Sequence, residues 1–107
     1  MDITYKNRKI ERICTNAKVA DREYGSQMSA KIHMRIDEIR AVDTVEEMIQ
    51  FRIGRCHALK GNRKGQYAVD LEHPYRLVFT KHGNEIEIAH IPVSYTHLRA
   101  HETTLHL

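Results

Sequence analysis

The sequence predicts an α+β domain in which helices cover one face of a small antiparallel sheet. Two patterns support this prediction. Apolar residues recur with helical spacing over residues 10–39, and from residue 67 they alternate with polar residues, as in half-buried strands. Short turn sequences separate the alternating segments, and short turns join antiparallel neighbours. Helices followed by a run of strands are typical of the α+β class.

The N-terminal part is predicted to contain a strand, Ile3-Thr4-Tyr5, and a helical hairpin. Residues 21–25 are expected to interrupt the hairpin between its two helices. Each helix is marked by an apolar stripe, which is Ile10, Ile13, Cys14 and Ala17 in the first and Met28, Ile32, Ile36 and Ile39 in the second. The two stripes favour packing on a common core.

A third, short helix is predicted to begin after Thr44. Thr44 and Glu47 have the spacing of a capping box, in which each side chain bonds to the backbone of the other residue. We expect this helix to bury Met48 and Phe51.

Three strands are predicted after the short helix, separated by the turn sequences EHP at 72–74 and HGN at 82–84. Their alternating apolar residues are Tyr67, Val69 and Leu71 in the first, Tyr75, Leu77 and Phe79 in the second, and Ile86 and Ile88 in the third. The fold prediction is therefore a strand and helical hairpin packed on a three-stranded meander.

The composition limits the classes of function. A chain of 107 residues with a net charge of +3 is typical of one globular domain with a mild preference for polyanions. There is no apolar run of ~18 residues and no secretory signal pattern, which predicts a cytoplasmic protein without a membrane span. The two cysteines form no CxxC pair and are expected to be free thiols.

The C-terminal segment PVSYTHLRAHET resembles the translation of a transposase adapter used in sequencing libraries, over twelve consecutive residues. We therefore expect the natural domain to span residues 1–91 and residues 92–107 to be a non-native tail. His97 and His101 have the i, i+4 spacing of helical metal ligands, but no cysteine stands beside them and their one acidic neighbour is Glu102. We expect no metal site and no cofactor.

The segment HALKGNRKG, residues 57–65, places one histidine and three fixed cations together without a carboxylate. A histidine side chain exchanges protons near neutral pH because its ordinary pKa is ~6.5. Lys60, Arg63 and Lys64 are placed to bind an anion, and Arg76 is predicted to stand on the open face of the sheet nearby. A solvated surface loop explains the same residues, and the pattern alone leaves both interpretations open.

Metal-free RNA cleavage needs a proton-transfer group among fixed cations. A base takes the proton of a ribose 2′-hydroxyl, the oxygen attacks the adjacent phosphate, and an acid protonates the leaving 5′-oxygen. Cations stabilise the charge that develops on the phosphorus centre. His57 with its cationic neighbours has the residue types for this reaction.

The stretch RCHALKGNRKGQYAVDLEHPYRLVF resembles the central block of the HigB branch of the RelE/ParE toxin superfamily. The shared features are an H-x-L-K-G loop, a basic link ending in Gly-Gln-aromatic, and a strand with an aromatic–Arg–aliphatic pattern. Together with the order of upstream elements, the resemblance covers residues 1–91. It implies a RelE-like fold and the toxin (killer protein) of a plasmid-maintenance toxin–antitoxin pair, which cleaves mRNA on the ribosome as an endoribonuclease.

The resemblance also implies roles for individual residues and partners. His57 and Lys60 match the family's catalytic His and Lys, and Arg76 matches the strand arginine that contacts the scissile phosphate. Arg63 and Lys64 are expected to hold the RNA backbone, since phosphate contacts position a substrate without reading its sequence. The expected partners are a HigA-like helix-turn-helix antitoxin, mRNA and the ribosome.

One feature departs from the family. Its members close with a strand ending in Asp-Tyr-His, whereas this chain has Tyr95 and His97 in a different order, so the activity of this particular chain is in question. Two alternatives stay open: a ParE-like toxin that poisons DNA gyrase by protein contact, and a non-catalytic partner protein. The H-x-L-K-G match argues against the gyrase poison, which has no use for such a loop.

Overall fold

The structure is a computed structural model that describes residues 1–92. The elements follow one another as β1 (Asp2–Tyr5), α1 (Arg8–Thr15), α2 (Ala17–Tyr24), α3 (Ser26–Ala41), α4 (Val45–Gln50), a 3₁₀ turn (Ile53–Arg55), β2 (His57–Ala58), β3 (Gln66–Asp70), β4 (Arg76–His82) and β5 (Glu85–His90). The predicted non-native tail lies outside the described residues from residue 93 onward.

The strands form one five-stranded sheet in the order β1-β5-β4-β3-β2. The predicted meander is present as β3, β4 and β5, and the α+β class is confirmed. Two strands extend it. β2 pairs antiparallel with β3 at one edge, and β1 pairs parallel with β5 at the other, so the sheet is mixed. The parallel pairing of β1 with β5 joins strands that are separated by all the other elements of the fold. Patterns of neighbouring residues in the sequence cannot predict such a pairing.

The helical hairpin has three helices rather than two. The chain breaks at Asn16, whose side chain accepts hydrogen bonds from the backbone N–H groups of Lys18 and Val19 and caps α2. The predicted interruption at residues 21–25 is therefore wrong for all but Gly25, where α2 ends. Ala17, expected on the first stripe, begins α2 instead.

The sheet has two unlike faces. We call the face that packs on the helices the helix face; it carries Val69, Leu77, Phe79, Ile86 and Ile88, all buried. Every buried apolar residue of α1–α4 belongs to the same core cluster as these strand residues. We call the opposite side the open face. It carries the strand residues that alternate with those of the helix face, namely Gln66, Ala68, Asp70, Arg76, Val78, Thr80 and Glu87.

The capping box predicted for α4 is present, with Thr44 and Glu47 bonded to each other's backbone. Met48 is buried as expected, but Phe51 is 61% exposed, so its predicted burial is wrong. The helix ends at Gln50, and the next residue but one, Arg52, has a left-handed backbone (φ 56°). Phe51 is the C-cap of α4, with its N–H donated to the Glu47 carbonyl at 2.9 Å, so it stands at the very end of the helix.

Both cysteines are free thiols, as predicted, and both are buried. Burial raises the pKa of Cys14 to about 12 and that of Cys56 to about 11. Both thiols are therefore protonated at neutral pH and are poor nucleophiles. No helix within residues 1–92 has the length and apolar character needed to cross a membrane.

Candidate functional site

The basic segment begins as an edge strand rather than a loop. His57 pairs with Ala68 and Ala58 with Tyr67, and the Leu59 N–H donates to the Gln66 carbonyl at 2.9 Å. The loop proper is residues 60–65, closed by a hydrogen bond from the Gln66 N–H to the Arg63 carbonyl at 3.0 Å. His57 is thus held by a sheet rather than by a solvated loop.

The pairing of His57 determines its direction. Residues directly opposite each other in an antiparallel pair share a face, so His57 stands on the open face with Ala68. Its ring Nδ1 lies 2.9 Å from the carbonyl oxygen of Arg55. Because a carbonyl can only accept, Nδ1 carries the hydrogen, and in the neutral ring Nε2 keeps its lone pair. The exposed Nε2 can therefore accept a proton from a bound molecule.

Arg76 begins β4 opposite Asp70 on the open face, as the alternation predicted. It is exposed, and within residues 1–92 it makes no ion pair. A strand spacing of about 4.8 Å and a rise of about 3.3 Å per residue put the Cα atoms of His57 and Arg76 roughly 12 Å apart. The two side chains therefore stand on the same face of the sheet, two strands apart.

A cleft of about 570 Å³ lies on the open face beside Arg76. Its lining contains three fixed cations, one histidine and no carboxylate: Lys6, Arg63, Gln66, Pro74, Tyr75, Arg76, Val78, Ala89, His90 and Pro92. Such a charge balance favours an anion. The predicted residues Arg63 and Arg76 are brought together here, whereas His57, Lys60 and Lys64 are not among the lining residues.

Arg63 is oriented by a short polar relay. Its Nε donates to the Gln66 side-chain oxygen at 3.1 Å, and the Gln66 amide nitrogen donates to the Thr80 hydroxyl at 3.3 Å. The relay ties the end of the loop to β4, so this guanidinium has a defined place at the cleft. Lys60 and Lys64 are exposed in the same loop.

His90 is a candidate residue that the sequence did not indicate. The pairing of β4 with β5 places Phe79 opposite Ile88 and Val78 opposite His90, so Ala89 is an extra residue in β5. A bulge of this kind reverses the direction of the following side chains. Simple alternation puts His90 on the helix face with Ile86 and Ile88, but the bulge places it in the cleft.

The open face therefore carries a cross-strand row of His57, Ala68, Val78 and His90. The two histidines flank two small apolar residues, with about 14 Å between their Cα atoms at the usual strand spacing. Two proton-transfer groups and several cations on one surface have the elements of acid–base chemistry on a phosphodiester.

Metal ligands are not clustered in the described part of the chain. Within residues 1–92, no group of three or more His, Cys, Asp or Glu side chains is close enough to hold a metal ion. His97 and His101, which have helical ligand spacing, lie outside the described residues, as do Tyr95 and the rest of the predicted tail.

No family model and no curated protein matches the sequence. Solved structures do match the fold. A chain of the heterotetrameric YoeB–YefM toxin–antitoxin complex from Staphylococcus aureus is 24% identical, with 89% of this chain and 98% of that chain covered and a TM-score of 0.53. The YoeB dimer from the same organism is 25% identical, with the same coverage and a TM-score of 0.52.

A third similar structure is the YoeB/ParE toxin from Agrobacterium tumefaciens, which is 14% identical over 89% of this chain and all of that chain, with a TM-score of 0.51. The structural neighbours are thus YoeB- and ParE-type toxins. The predicted RelE-like fold, with helices on a small sheet, is confirmed. The narrower prediction of the HigB branch stays a prediction.

Proposed function

We propose that this chain is the toxin of a type II toxin–antitoxin pair and that it cleaves mRNA on the ribosome without a metal ion. The observation that carries the proposal is the cationic, carboxylate-free cleft on the same sheet face as a histidine with an available Nε2. The resemblance of residues 55–79 to RelE/ParE-superfamily toxins and the likeness of the fold to YoeB-type toxins support it.

The proposed reaction follows from the placement of the groups. His57 Nε2 accepts the proton of a ribose 2′-hydroxyl, and the 2′-oxygen forms a bond to the adjacent phosphorus. The bond from phosphorus to the 5′-oxygen breaks, and a protonated group gives that oxygen its proton. The products are a 2′,3′-cyclic phosphate and a 5′-hydroxyl. Lys60 and Arg76 stabilise the charge on the phosphoryl oxygens.

The cleft suggests the remaining roles. We assign to His90 the transfer of the proton to the leaving oxygen, since it is the histidine that lines the cleft with Arg76. Arg63 and Lys6 line the same surface and, with Lys64 in the loop, bind the RNA backbone, where contacts position the strand without reading its sequence. In this proposal the functional domain is residues 1–91, and a native ending in place of residues 92–107 raises the activity.

In this proposal the protein belongs to the HigB branch of the superfamily and acts in the cytoplasm. Its partner is a HigA-like antitoxin. A partner that covers the open face with acidic side chains neutralises Lys6, Arg63 and Arg76 together. One of the similar structures is itself a toxin–antitoxin complex.

Growth arrest on induced expression tests the proposal. We expect His57→Ala and Lys60→Ala to relieve the arrest, because each removes a group that acts on the reacting atoms. His82→Ala is the matched control, since His82 is also exposed but lies at the far end of β4. Transcripts from arrested cells should carry new ends within coding regions, and the purified protein should cut mRNA only when ribosomes are present.

Two results contradict the proposal in different ways. Arrest that survives both substitutions, together with inhibited topoisomerase activity, supports the ParE-like alternative of a gyrase poison. Efficient cleavage of free RNA without ribosomes contradicts the ribosome-dependent mechanism.

A further inference from the structure

Asp70, at the end of β3, joins three parts of the molecule. Its backbone carbonyl accepts a hydrogen bond from Arg35 Nε of α3 at 2.6 Å. Its carboxylate accepts one from Arg55 Nε at 2.5 Å. The carbonyl of Arg55 in turn accepts the hydrogen of His57 Nδ1 at 2.9 Å. A continuous path of three hydrogen bonds therefore runs from α3 through Asp70 and Arg55 to the ring of His57.

The segment that presents the Arg55 carbonyl has an unusual backbone. Arg52, Gly54 and Arg55 all have positive φ, at 56°, 56° and 51°. Side-chain-bearing residues rarely adopt this region, and they persist there when the surrounding contacts hold them. The turn is confined on one side by Arg35, whose Nε would stand 2.7 Å from a Cβ at Gly54. On the other side it is held by the Arg55–Asp70 pair.

We propose that Asp70 is a positioning residue that acts through Arg55 to keep His57 in the Nδ1–H form, with Nε2 available to accept a proton. The catalytic consequence rests on the proposed ribonuclease function; the structural consequence does not. By holding the side chain of Arg55, Asp70 keeps the left-handed backbone at that residue, and this backbone aims the carbonyl at the ring. Carboxylates and carbonyls that orient a histidine through its second nitrogen are a general device of acid–base sites.

The placement of Asp70 has a second effect on the open face. Asp70 is the cross-strand partner of Arg76, and opposite charges in such positions attract. In the structure the carboxylate instead pairs with Arg55, and within residues 1–92 Arg76 makes no ion pair. Arg55 therefore keeps the Asp70 carboxylate away from the arginine that is proposed to bind phosphate.

Stability alone does not explain this arrangement. The side chain of Arg55 is 81% exposed, and ion pairs with an exposed partner contribute little to folding. Removal of the carboxylate is therefore expected to change the state of the His57 ring more than the unfolding of the protein. This difference separates a positioning role from a purely structural one.

The test is the tautomer of His57, measured by long-range ¹H–¹⁵N NMR correlations on the full chain above the titration range of the ring. We expect the wild type to show hydrogen on Nδ1. In Asp70→Ala and in Arg55→Ala the population should move toward the Nε2–H form. Arg55→Ala keeps the backbone carbonyl and a Cβ that disfavours positive φ, so it removes the ion pair without relieving the backbone strain that the pair is proposed to hold. Asp37→Ala, which removes an exposed carboxylate from α3, is the control and should leave the ring unchanged.

A His57 ring that keeps Nδ1–H in Asp70→Ala overturns the proposal, and so does an equal change in Asp37→Ala. The double variant of Asp70→Ala and Arg55→Ala should change the ring no more than either single variant, because both substitutions break the same path. If the tautomer shifts of the two single variants add in the double variant, Asp70 and Arg55 do not act on His57 through one path. Circular dichroism and thermal unfolding confirm that each variant is folded.

Kinetics of ribosome-dependent cleavage complete the test. We expect Asp70→Ala to lower kcat about 10- to 100-fold with KM unchanged, less than the ~10⁴-fold loss when a catalytic histidine is forced into the wrong tautomer. An unchanged kcat in a variant with a shifted tautomer overturns the catalytic half of the proposal. If neither this chain nor one with a native ending in place of residues 92–107 cleaves mRNA, the ribonuclease proposal fails, and the NMR result still decides whether Asp70 orients His57.

Discussion

The helix face and the open face of the sheet use the same five strands in different ways. On the helix face, regular alternation buries Leu77, Phe79 and Ile88 against the four helices. On the open face, the residues that matter are placed by irregularities: a bulge aims His90, an edge strand holds His57, and a left-handed turn aims the carbonyl of Arg55. Regularity supplies the core of this fold, and local exceptions to regularity supply its candidate site.

The difference predicts that a change on the helix face affects folding and a change on the open face affects binding. Buried apolar area is the main stabilising term in folding. Exposed cations away from partners contribute little to it but attract anions.

The largest expected effect is that of Phe79→Ala. Phe79 is fully buried and stacks on Tyr67 with 5.6 Å between ring centroids. We expect the free energy of unfolding to fall by about 3–5 kcal/mol, through lost transfer energy and the cavity left behind. Urea denaturation measures it. Glu87→Ala, one strand away on the open face, should change the same quantity by less than about 0.5 kcal/mol; equal losses would contradict the division between the faces.

The next largest effect on stability is expected at the turn that precedes His57. Gly54→Ala should lower the free energy of unfolding by about 2 kcal/mol, since it adds left-handed strain and a clash with Arg35. Gly61→Ala is the matched control: φ is also positive, at 75°, but the space around an added Cβ is open. Gly61→Ala should lower the free energy of unfolding by about 1 kcal/mol, from backbone strain alone. Similar losses in the two variants would show that the contact with Arg35 is unimportant.

The fold was largely predictable from the sequence because its core obeys simple periods. Met28, Ile32, Ile36 and Ile39 lie four or three residues apart and are all buried. The Thr44–Glu47 capping box was also predictable, since both partners are local. Two predictions failed where the local signal was weak. The break at Asn16 depends on a side-chain cap, and Phe51 is the C-cap residue of α4, where helical spacing no longer implies burial.

The site was predictable only in part. Arg76 was placed on the open face correctly because strand alternation reaches it from Leu77. Alternation fails for His90, because the bulge at Ala89 depends on pairing with β4 and leaves no mark in the order of residues. The path from Asp70 to His57 joins positions 13 residues apart through a turn with no recognisable motif. The roles given to His57, Lys60, Arg63, Lys64 and Arg76 stay predictions.

A smaller effect concerns the pH dependence of the core. The pKa of Cys14 is raised by burial from 9.0 to about 12, so the native state holds this proton over a range in which the unfolded chain releases it. The stabilising contribution is complete below pH 9.0 and is lost as the pH rises toward about 12. The loss is about 1.4 kcal/mol per pH unit. Denaturation midpoints at pH 8–11 measure it.

Cys14→Ala should remove this part of the slope while leaving the contributions of Cys56 and Tyr5, whose pKa values burial also raises. The variant is destabilised at pH 8 by the lost packing, so the informative quantity is the change of stability with pH rather than its absolute value. An unchanged slope would mean that the thiol ionises in the folded state as readily as in the unfolded chain.

The smallest effect on stability is expected from Arg76→Ala. In this variant we expect RNA binding to weaken while the free energy of unfolding stays almost unchanged. Arg76 is exposed at the start of β4, so unfolding should change by less than about 0.5 kcal/mol. Binding of a short, uncleavable RNA analogue should weaken, and the slope of log affinity against log salt should fall by about 1, as for one lost phosphate contact. Lys18→Ala, an equal charge change on exposed α2, tests whether net charge alone is responsible. If both variants lose RNA affinity equally, the cleft has no special part in binding. If Arg76→Ala alone changes the salt slope, the RNA phosphate binds in the cleft that Arg76 and Arg63 line.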